Sequence, residues 1–390
     1  MIHLVGYATA GLGLGEVLRR LASFLHRSGY QIAVHDLREA VDDRGRDFRL
    51  HQILPIQAFS GSIGLDDPVI YCVNPDQLAV ASSRYPTKGK RIGIWFWELE
   101  RWPDPWIPAF ELVDEVWAPT SFIAHALEGA RSKVNWHGKI RYVPLPLIQV
   151  EKTQPSAAGI GSDPLPDWWN DWAHGLAHRS YFAFDCHSVF QRKNPLALIE
   201  AFRSAFSPWI TLPRKLPQPK LLIRALHPER DPKAVKALRD AAKGDERILI
   251  STDYLQAHQS ARLTAGCDVY CSPHRSEGLG LGIAEAMLAA KPVIATPWSG
   301  NLDFCKDSRS GIEFGIHPAY DLIVLGADDY PHGEGARWAD PKVDSIAEAL
   351  WQCWQHPAWA ASLGRASARH IKRHFSGDSF ASEVKRLSDC

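Results

Sequence analysis

The pentapeptide Gly-Leu-Gly-Leu-Gly occurs twice in the chain, at 11–15 and at 278–282. Each copy ends an apolar run and opens a helix-like stretch, and a glutamate soon follows, Glu16 after the first and Glu285 after the second. A strand that ends in a glycine turn and re-emerges as a helix is the opening unit of a doubly wound α/β domain. Glycines at alternate positions let backbone N–H groups approach a ligand, and the helix N-terminus behind them adds partial positive charge, so each copy can cradle an anion. Each copy also reads as a tight strand-to-helix turn with no ligand, and a lone glycine-rich turn does not separate the two readings. Two copies in matching contexts, one near each end, predict two nucleotide-type folding units facing one cleft.

At 390 residues the chain has room for two such units. Lys and Arg together number 44 and so do Asp and Glu, which gives no basic excess of the kind nucleic-acid binding calls for. No apolar run approaches the length of a membrane span. The chain runs from Met1 straight into an apolar strand, without the pattern of an export signal. Its seven cysteines are scattered at Cys72, Cys186, Cys267, Cys271, Cys305, Cys353 and Cys390. We therefore expect a cytoplasmic protein with reduced thiols. Fifteen tryptophans serve either core packing or the lining of a ligand cleft.

Alternating strand and helix patterns predict an N-terminal domain over 1–150. Its strands are expected at 2–6, 31–36, 67–73, 91–97, 115–119 and 139–143, with a helix over 122–128 capped by Thr120 or Ser121. Prolines 144, 146, 155, 164 and 166 mark an interdomain linker over 151–178. A second domain is expected over 179–368, with strands at 181–185, 220–225, 248–251, 269–272 and 292–296. A long irregular stretch over 311–341, a helix from Val343 and a helical tail from about Ala358 close the chain.

The densest chemistry lies in His274-Arg275-Ser276-Glu277 and the second glycine loop, Gly278, Leu279, Gly280, Leu281 and Gly282, followed by Glu285. Two carboxylates flanking a glycine turn can accept hydrogen bonds from the hydroxyls of a sugar and of a ribose, while the N–H groups between them suit a phosphate. They equally fit a surface glutamate and a glutamate favoured by the helix dipole. Arg192 and Lys193 precede a helix that opens at Asn194-Pro195. Cations at a helix N-terminus are unfavourable for the helix itself, and an anionic ligand would supply the compensation; a solvated pair in a loop is the other reading. Ser299-Gly300-Asn301 follows another strand, on the same sheet edge. In the first domain, Glu98 and Glu100 end the tryptophan-rich strand 91–97, which suits recognition of an acceptor's hydroxyls over an indole face, whereas core packing explains Trp95 and Phe96 more cheaply. Cys267, Cys271 and His274 do not make a metal site, because Pro273 breaks the turn and no fourth ligand is evident. No Walker loop, His-Glu-x-x-His or Gly-x-Ser-x-Gly motif is present.

The segment 272–304, with Glu277-x7-Glu285, Lys291-Pro292-Val293-Ile294-Ala295-Thr296 and Ser299-Gly300-Asn301, resembles retaining glycosyltransferases of family 4, the group 1 type with the GT-B fold. Phe184-Asp185 through Arg192-Lys193-Asn194-Pro195, Tyr254-Leu255, 95–100 and Trp117-Ala118-Pro119-Thr120-Ser121 carry the same resemblance across nearly the whole chain. It implies two Rossmann-like domains and transfer of a hexose from a nucleoside-diphosphate sugar to an acceptor hydroxyl, in glycan or polysaccharide biosynthesis. Glu277 would contact the donor sugar without acting as a nucleophile, and Glu285 the ribose. Lys193, with Arg192 and the loop 278–282, would hold the diphosphate. Ser299, Asn301 and Tyr254 would complete the donor site, while Gly13, Gly15, Glu98 and Glu100 would face the acceptor. The resemblance implies no cofactor and no catalytic metal, since the protein supplies the countercharge. Its partners would be a nucleotide sugar and a hydroxyl-bearing acceptor, with peripheral membrane contact if that acceptor is lipid-linked. Many members carry an Arg five positions before the lysine, where this chain has Ser188, leaving Arg192 or Arg224 to substitute. The C-terminal tail, about 369–390, would pack back on the first domain. A sugar-nucleotide epimerase of the same fold and a non-catalytic carbohydrate- or nucleotide-binding subunit are the alternatives. With no cation like Lys193 apparent beside it, the first glycine loop reads as the opposing wall of the cleft.

Overall fold

A computed structural model describes residues 1–37, 47–54, 62–147, 164–169, 181–185, 190–207, 218–225, 228–229 and 231–388. The chain divides into two compact units, Met1–Val150 with Lys372–Cys390, and Glu151–Ile371. Apart from 164–169, the expected linker 151–178 lies outside the described residues, as does Ser188.

The first unit is built on a parallel sheet of β1 (Ile2–Gly6), β2 (Ile32–Asp36), β3 (Val69–Cys72), β4 (Arg91–Ile94), β5 (Glu115–Ala118) and β6 (Lys139–Tyr142), in the order β2-β1-β3-β4-β5-β6. Apart from the edge strand β6, whose Lys139, Ile140, Arg141 and Tyr142 are exposed or half-exposed, the strands are short apolar runs, because helices cover both faces of such a sheet. The order reverses between β1 and β3: β2 and β3 flank β1, with His3 opposite Ala33 of β2 on one side and Val69 of β3 on the other. The helix Gly13–Arg27 follows β1 directly and buries Val17, Leu18, Leu21 and Leu25. The helix Ser121–Arg131 is capped by Thr120, whose hydroxyl accepts the Ile123 N–H.

The expected strand 91–97 stops at Ile94, because the Phe96 N–H donates to Asn74 Oδ1 at 3.0 Å and leaves the ladder. The tail is two helices, Pro357–His374 and Asp378–Ser388, broken at Gly377, whose φ of 94° lies in the left-handed region. A side chain at Gly377 would also meet Phe24 Cε2 at 2.4 Å. Within this unit the last helix inserts Phe380, fully buried, edge-on to Trp117 at 5.6 Å and to Phe24 at 5.9 Å. Its Arg386 pairs with the buried Glu115, which Arg141 also reaches at 3.0 Å.

The second unit carries the parallel sheet β7 (Tyr181–Asp185), β8 (Lys220–Arg224), β9 (Ile248–Ser251), β10 (Val269–Ser272) and β11 (Val293–Ala295), in the order β11-β10-β7-β8-β9. Here the order reverses between β7 and β10, so the chain leaving the carboxyl ends of those two strands borders the switch point where doubly wound sheets bind ligands. The stretch 311–341 is not wholly irregular. It holds an antiparallel pair, β12 (Tyr320–Val324) and β13 (Arg337–Pro341), with Ile323 opposite Trp338. The alternation that would reveal β12 is weak, since Leu322, Ile323 and Val324 are consecutive, apolar and exposed.

Candidate functional site

The site is assembled from two loops at the switch point of the second unit. After β7 the chain forms a single helical turn, Phe190–Lys193, and then Asn194 takes a left-handed conformation (φ 54°) before the helix Pro195–Ala205 begins. After β10 it runs through Pro273 and His274 to Glu277 and the glycine loop, and enters the helix Leu281–Leu288 through Gly280 at φ +83°, which a glycine adopts without strain.

The two loops meet at Glu277. Its carboxylate, 8% exposed, pairs with the Lys193 ammonium, and its other oxygen lies 3.1 Å from Arg192 Nη1. The same Arg192 nitrogen donates to the Ser276 carbonyl at 2.6 Å. Burial would push the Glu277 carboxyl up, but the charges of Lys193 and Arg192 outweigh it and hold the pKa at about 2. Glu277 is therefore a carboxylate at neutral pH. Two cations, one carboxylate and a helix N-terminus leave a local positive excess, the electrostatic setting for an anion.

The backbone around Glu277 is held from behind. Its N–H donates to Ser299 Oγ at 2.7 Å, and its carbonyl accepts the Gly300 N–H at 2.9 Å. Ser299 sits at φ 75°, a strained conformation for a residue with a side chain. A Cβ at Gly300 would lie 1.9 Å from the Gly278 carbonyl oxygen, so the loop after β11 touches the Glu277 loop backbone to backbone. Beneath them His274 is wholly buried. Its Nε2 bonds with Asn301 Oδ1 at 3.1 Å and its Nδ1 with Ser272 Oγ at 3.0 Å. Burial pushes the imidazole down to about 4, so the ring is neutral.

Not every residue expected in the site faces it. Asn301 is fully buried, with its amide spent on His274 and on the Thr296 carbonyl at 3.0 Å. It supports the loop rather than presenting donors to a ligand. Gly282 answers a packing need, since a Cβ there would meet the Tyr270 hydroxyl at 2.4 Å. Leu279 is buried and Leu281 half-buried. Glu285 lies in the second turn of the helix, partly exposed. Tyr254, 39% exposed, follows β9. Arg224 is buried and donates to Ser260 Oγ at 2.7 Å. Cys267, Cys271 and His274 are all buried, and among the described residues no group of three or more His, Cys, Asp or Glu could hold a metal ion.

In the first unit, Gly15 is needed for packing, because a Cβ would meet the Ala10 carbonyl oxygen at 2.4 Å, whereas a Cβ at Gly13 would meet open space. The first glycine loop does have cations beside it, contrary to the sequence reading. Arg19 donates to the Ala8 and Ala10 carbonyls at 3.1 and 2.8 Å, and Arg19, Arg20 and Arg49 converge on Glu16. These cations already have Glu16 and Asp47 as partners. Glu98 and Glu100 are partly exposed beyond the end of β4. The indoles between them and the strand are core: Trp95, Trp97 and Trp102 are buried, Trp95 stacks on Trp102 at 5.7 Å, and Trp97 meets Trp106 edge-on at 4.9 Å. No indole face of Trp95 or Trp97 is therefore left for a sugar ring. Sequence reasoning placed Arg275 and His274 in its densest stretch but gave Arg275 no role, its only signal being its place two residues before Glu277, and weighed His274 only as a metal ligand, which it rejected.

Residues 187–321 match the family model described as Glycosyl transferases group 1. That segment contains both loops of the site. A comparison with curated proteins finds no match. Among solved structures the chain is similar to sucrose-phosphate synthase from Thermosynechococcus elongatus, with a TM-score of 0.65 and 15% identity over 100% of this chain and 98% of that one. It is similar to HepE of Anabaena, solved in complex with UDP and glucose, with a TM-score of 0.61 and 15% identity over all of both chains. It is also similar to S. aureus TarM, solved with UDP, with a TM-score of 0.54 and 13% identity over 83% of this chain; there it spans only 56% of the other chain's length. These likenesses show the fold to be GT-B, with Rossmann-like domains, and the resemblance to group 1 glycosyltransferases holds.

Proposed function

We propose that the chain is a retaining glycosyltransferase of the family 4 type that moves a hexose from a nucleoside-diphosphate sugar to an acceptor hydroxyl. The observation that carries this reading is the Glu277 carboxylate held ionised between Lys193 and Arg192 at the switch point, inside the segment that matches the group 1 family. Two relatives of the same fold are solved with UDP, so uridine-diphosphate sugars are the first donors to test.

In this reading Lys193 and Arg192 neutralise the diphosphate as it leaves, together with the N–H groups at the start of the helix Leu281–Leu288. The protein thereby supplies the charge that a metal ion supplies in other transferases. Glu277 stays ionised and holds the sugar through its hydroxyls, and Glu285 accepts from the ribose. The bond between the anomeric carbon and the diphosphate oxygen breaks with both electrons leaving on the diphosphate. The acceptor oxygen attacks on the face the diphosphate vacates, and its proton passes to a diphosphate oxygen. The acceptor is held by the first unit, near Gly13, Gly15, Glu98 and Glu100. The protein works in the cytoplasm, in glycan or polysaccharide synthesis; among the described residues no helix is long and apolar enough to cross a membrane.

The test is incubation with a panel of sugar nucleotides and candidate acceptors, following release of nucleoside diphosphate, with and without a chelator. We expect turnover with at least one donor, unchanged by chelation. Failure to bind any sugar nucleotide would sink the reading. A Glu285→Ala variant that binds nucleoside diphosphate as tightly as wild type would sink the ribose assignment.

A further inference from the structure

We propose that Arg275 is a positioning residue of this site, which locks the turn bearing Arg192 and Lys193 onto the loop bearing Glu277. The proposal deepens the reading given above and rests on it. Arg275 makes ties in two directions, to the turn 190–193 and to β13. Its backbone N–H donates to the Arg192 carbonyl at 2.7 Å, and its Nη1 donates to the Gln191 carbonyl at 2.6 Å. Its Nε donates to Asp340 Oδ1 at 2.7 Å, while the guanidinium lies 5.6 Å from the centre of the Trp338 ring. Its own carbonyl accepts the Ala339 N–H at 2.9 Å. Arg192 returns the clasp by donating to the Ser276 carbonyl.

The need for such a clasp follows from the length of Phe190–Lys193. Four residues make one helical turn, which is far too short to hold itself. Lys193 is an ammonium on a flexible stem, so its position is set by the turn beneath it. Arg275 ties that turn to the Glu277 loop and ties both to β13. The Arg275 side chain does this through a planar fork, with Nε on Asp340, Nη1 on Gln191 and its plane near an indole. A lysine ammonium cannot make the three contacts together. The stability at stake is small. The Arg275 and Asp340 side chains are 21% and 42% exposed, and pairs of that exposure contribute little to folding. A residue that costs little to remove from the fold but sets the geometry of two catalytic cations is recognised by losing turnover without losing stability.

The experiment compares wild type, Arg275→Ala, Arg275→Lys and Asp340→Ala in three measurements: hydrogen exchange of the amides in 190–194, steady-state kinetics with a sugar nucleotide, and melting temperature. For Arg275→Ala we expect exchange in 190–194 at least about tenfold faster. We expect kcat to fall by about 30-fold or more, KM to change by less than about threefold, and melting to shift by only a few degrees. Lysine should restore less than half of the lost kcat, and Asp340→Ala should lie between wild type and Arg275→Ala. Unchanged exchange in 190–194, or a kcat within about twofold of wild type, would overturn the proposal. Full rescue by lysine would do the same. If wild type itself turns over no sugar nucleotide, the functional reading fails and hydrogen exchange alone decides the role of Arg275. If Arg275→Ala does not fold, the other two variants carry the same comparisons.

Discussion

Replacing Lys193 by alanine removes one of the two cations that face Glu277. The Glu277 carboxyl lies at about 2 against an ordinary 4.5, a net preference for the charged form on the order of 3 kcal/mol at about 1.4 kcal/mol per pH unit. Burial opposes that preference, and of the two cations that produce it Lys193 contributes more than Arg192. Lys193→Ala leaves the buried carboxylate with one guanidinium at 3.1 Å, so we expect a stability loss of about 1–2 kcal/mol rather than the larger loss that follows when a buried charge keeps no partner. The catalytic loss should be larger. Removing one fixed donor from a site that stabilises developing negative charge costs about 2.7–4 kcal/mol, or about 10²–10³ in kcat. The assay is nucleoside-diphosphate release at saturating donor, with folding checked by circular dichroism at the same temperature. The double variant Lys193→Ala with Glu277→Gln removes the carboxylate as well. It leaves the buried Arg192 facing a neutral amide at position 277, so it should regain neither the lost stability nor the lost turnover. A Lys193→Ala protein that turns over within about threefold of wild type would refute the electrostatic argument, and so would a double variant that regains activity.

Phe380→Ala should open a cavity against Trp117 and Phe24 and cost about 3–5 kcal/mol, read as a lowered denaturation midpoint of the first unit; a cost below about 1 kcal/mol would mean that the last helix is not part of that core. His35 and His274 are both buried and held at about 4, against an ordinary 6.5. The unfolded chain therefore takes up their protons first as the pH falls, and the stability they contribute is complete above about pH 6.5 and lost progressively down to about pH 4. At pH 5 the loss is about 2 kcal/mol for each ring, from 1.5 pH units at about 1.4 kcal/mol, and melting temperatures between pH 7 and pH 5 that do not fall would contradict it. Gly300→Ala forces a Cβ against the Gly278 carbonyl oxygen, and should lower both stability and nucleoside-diphosphate affinity, as measured by calorimetry.

The parallel sheets were legible because strands covered on both faces write themselves as apolar runs. β1, β7, β9 and β10 fall where the sequence places them, as the ends of their runs coincide with glycine, proline or charge. β4 stops early because the competing partner, the Asn74 side chain, is 22 residues away and invisible to local pattern. The hairpin β12–β13 was hidden because three consecutive exposed apolar residues carry no period. In the site, Glu277, Lys193 and Arg192 were legible as charges placed where helices disfavour or glycine turns expose them, and they do come together. Asn301 misled because a polar residue at a strand end looks the same whether it faces a ligand or props up a buried histidine. Gly282 has a packing duty that its letter does not show, since a side chain there would meet the Tyr270 hydroxyl. The tryptophans near Glu98 stayed open between core and binding face in the sequence, because composition does not tell a stacked core from a binding face, and the structure puts them in the core.

The central claim is transfer from a nucleotide sugar with retained configuration. It is tested most directly by proton NMR of a reaction with an α-linked sugar nucleotide and an acceptor, reading the coupling constant of the new anomeric proton. The account predicts an α-linked product whose appearance matches nucleoside-diphosphate release and is abolished in Lys193→Ala. A β-linked product, or an isomeric sugar formed from the donor with no acceptor present, would contradict it.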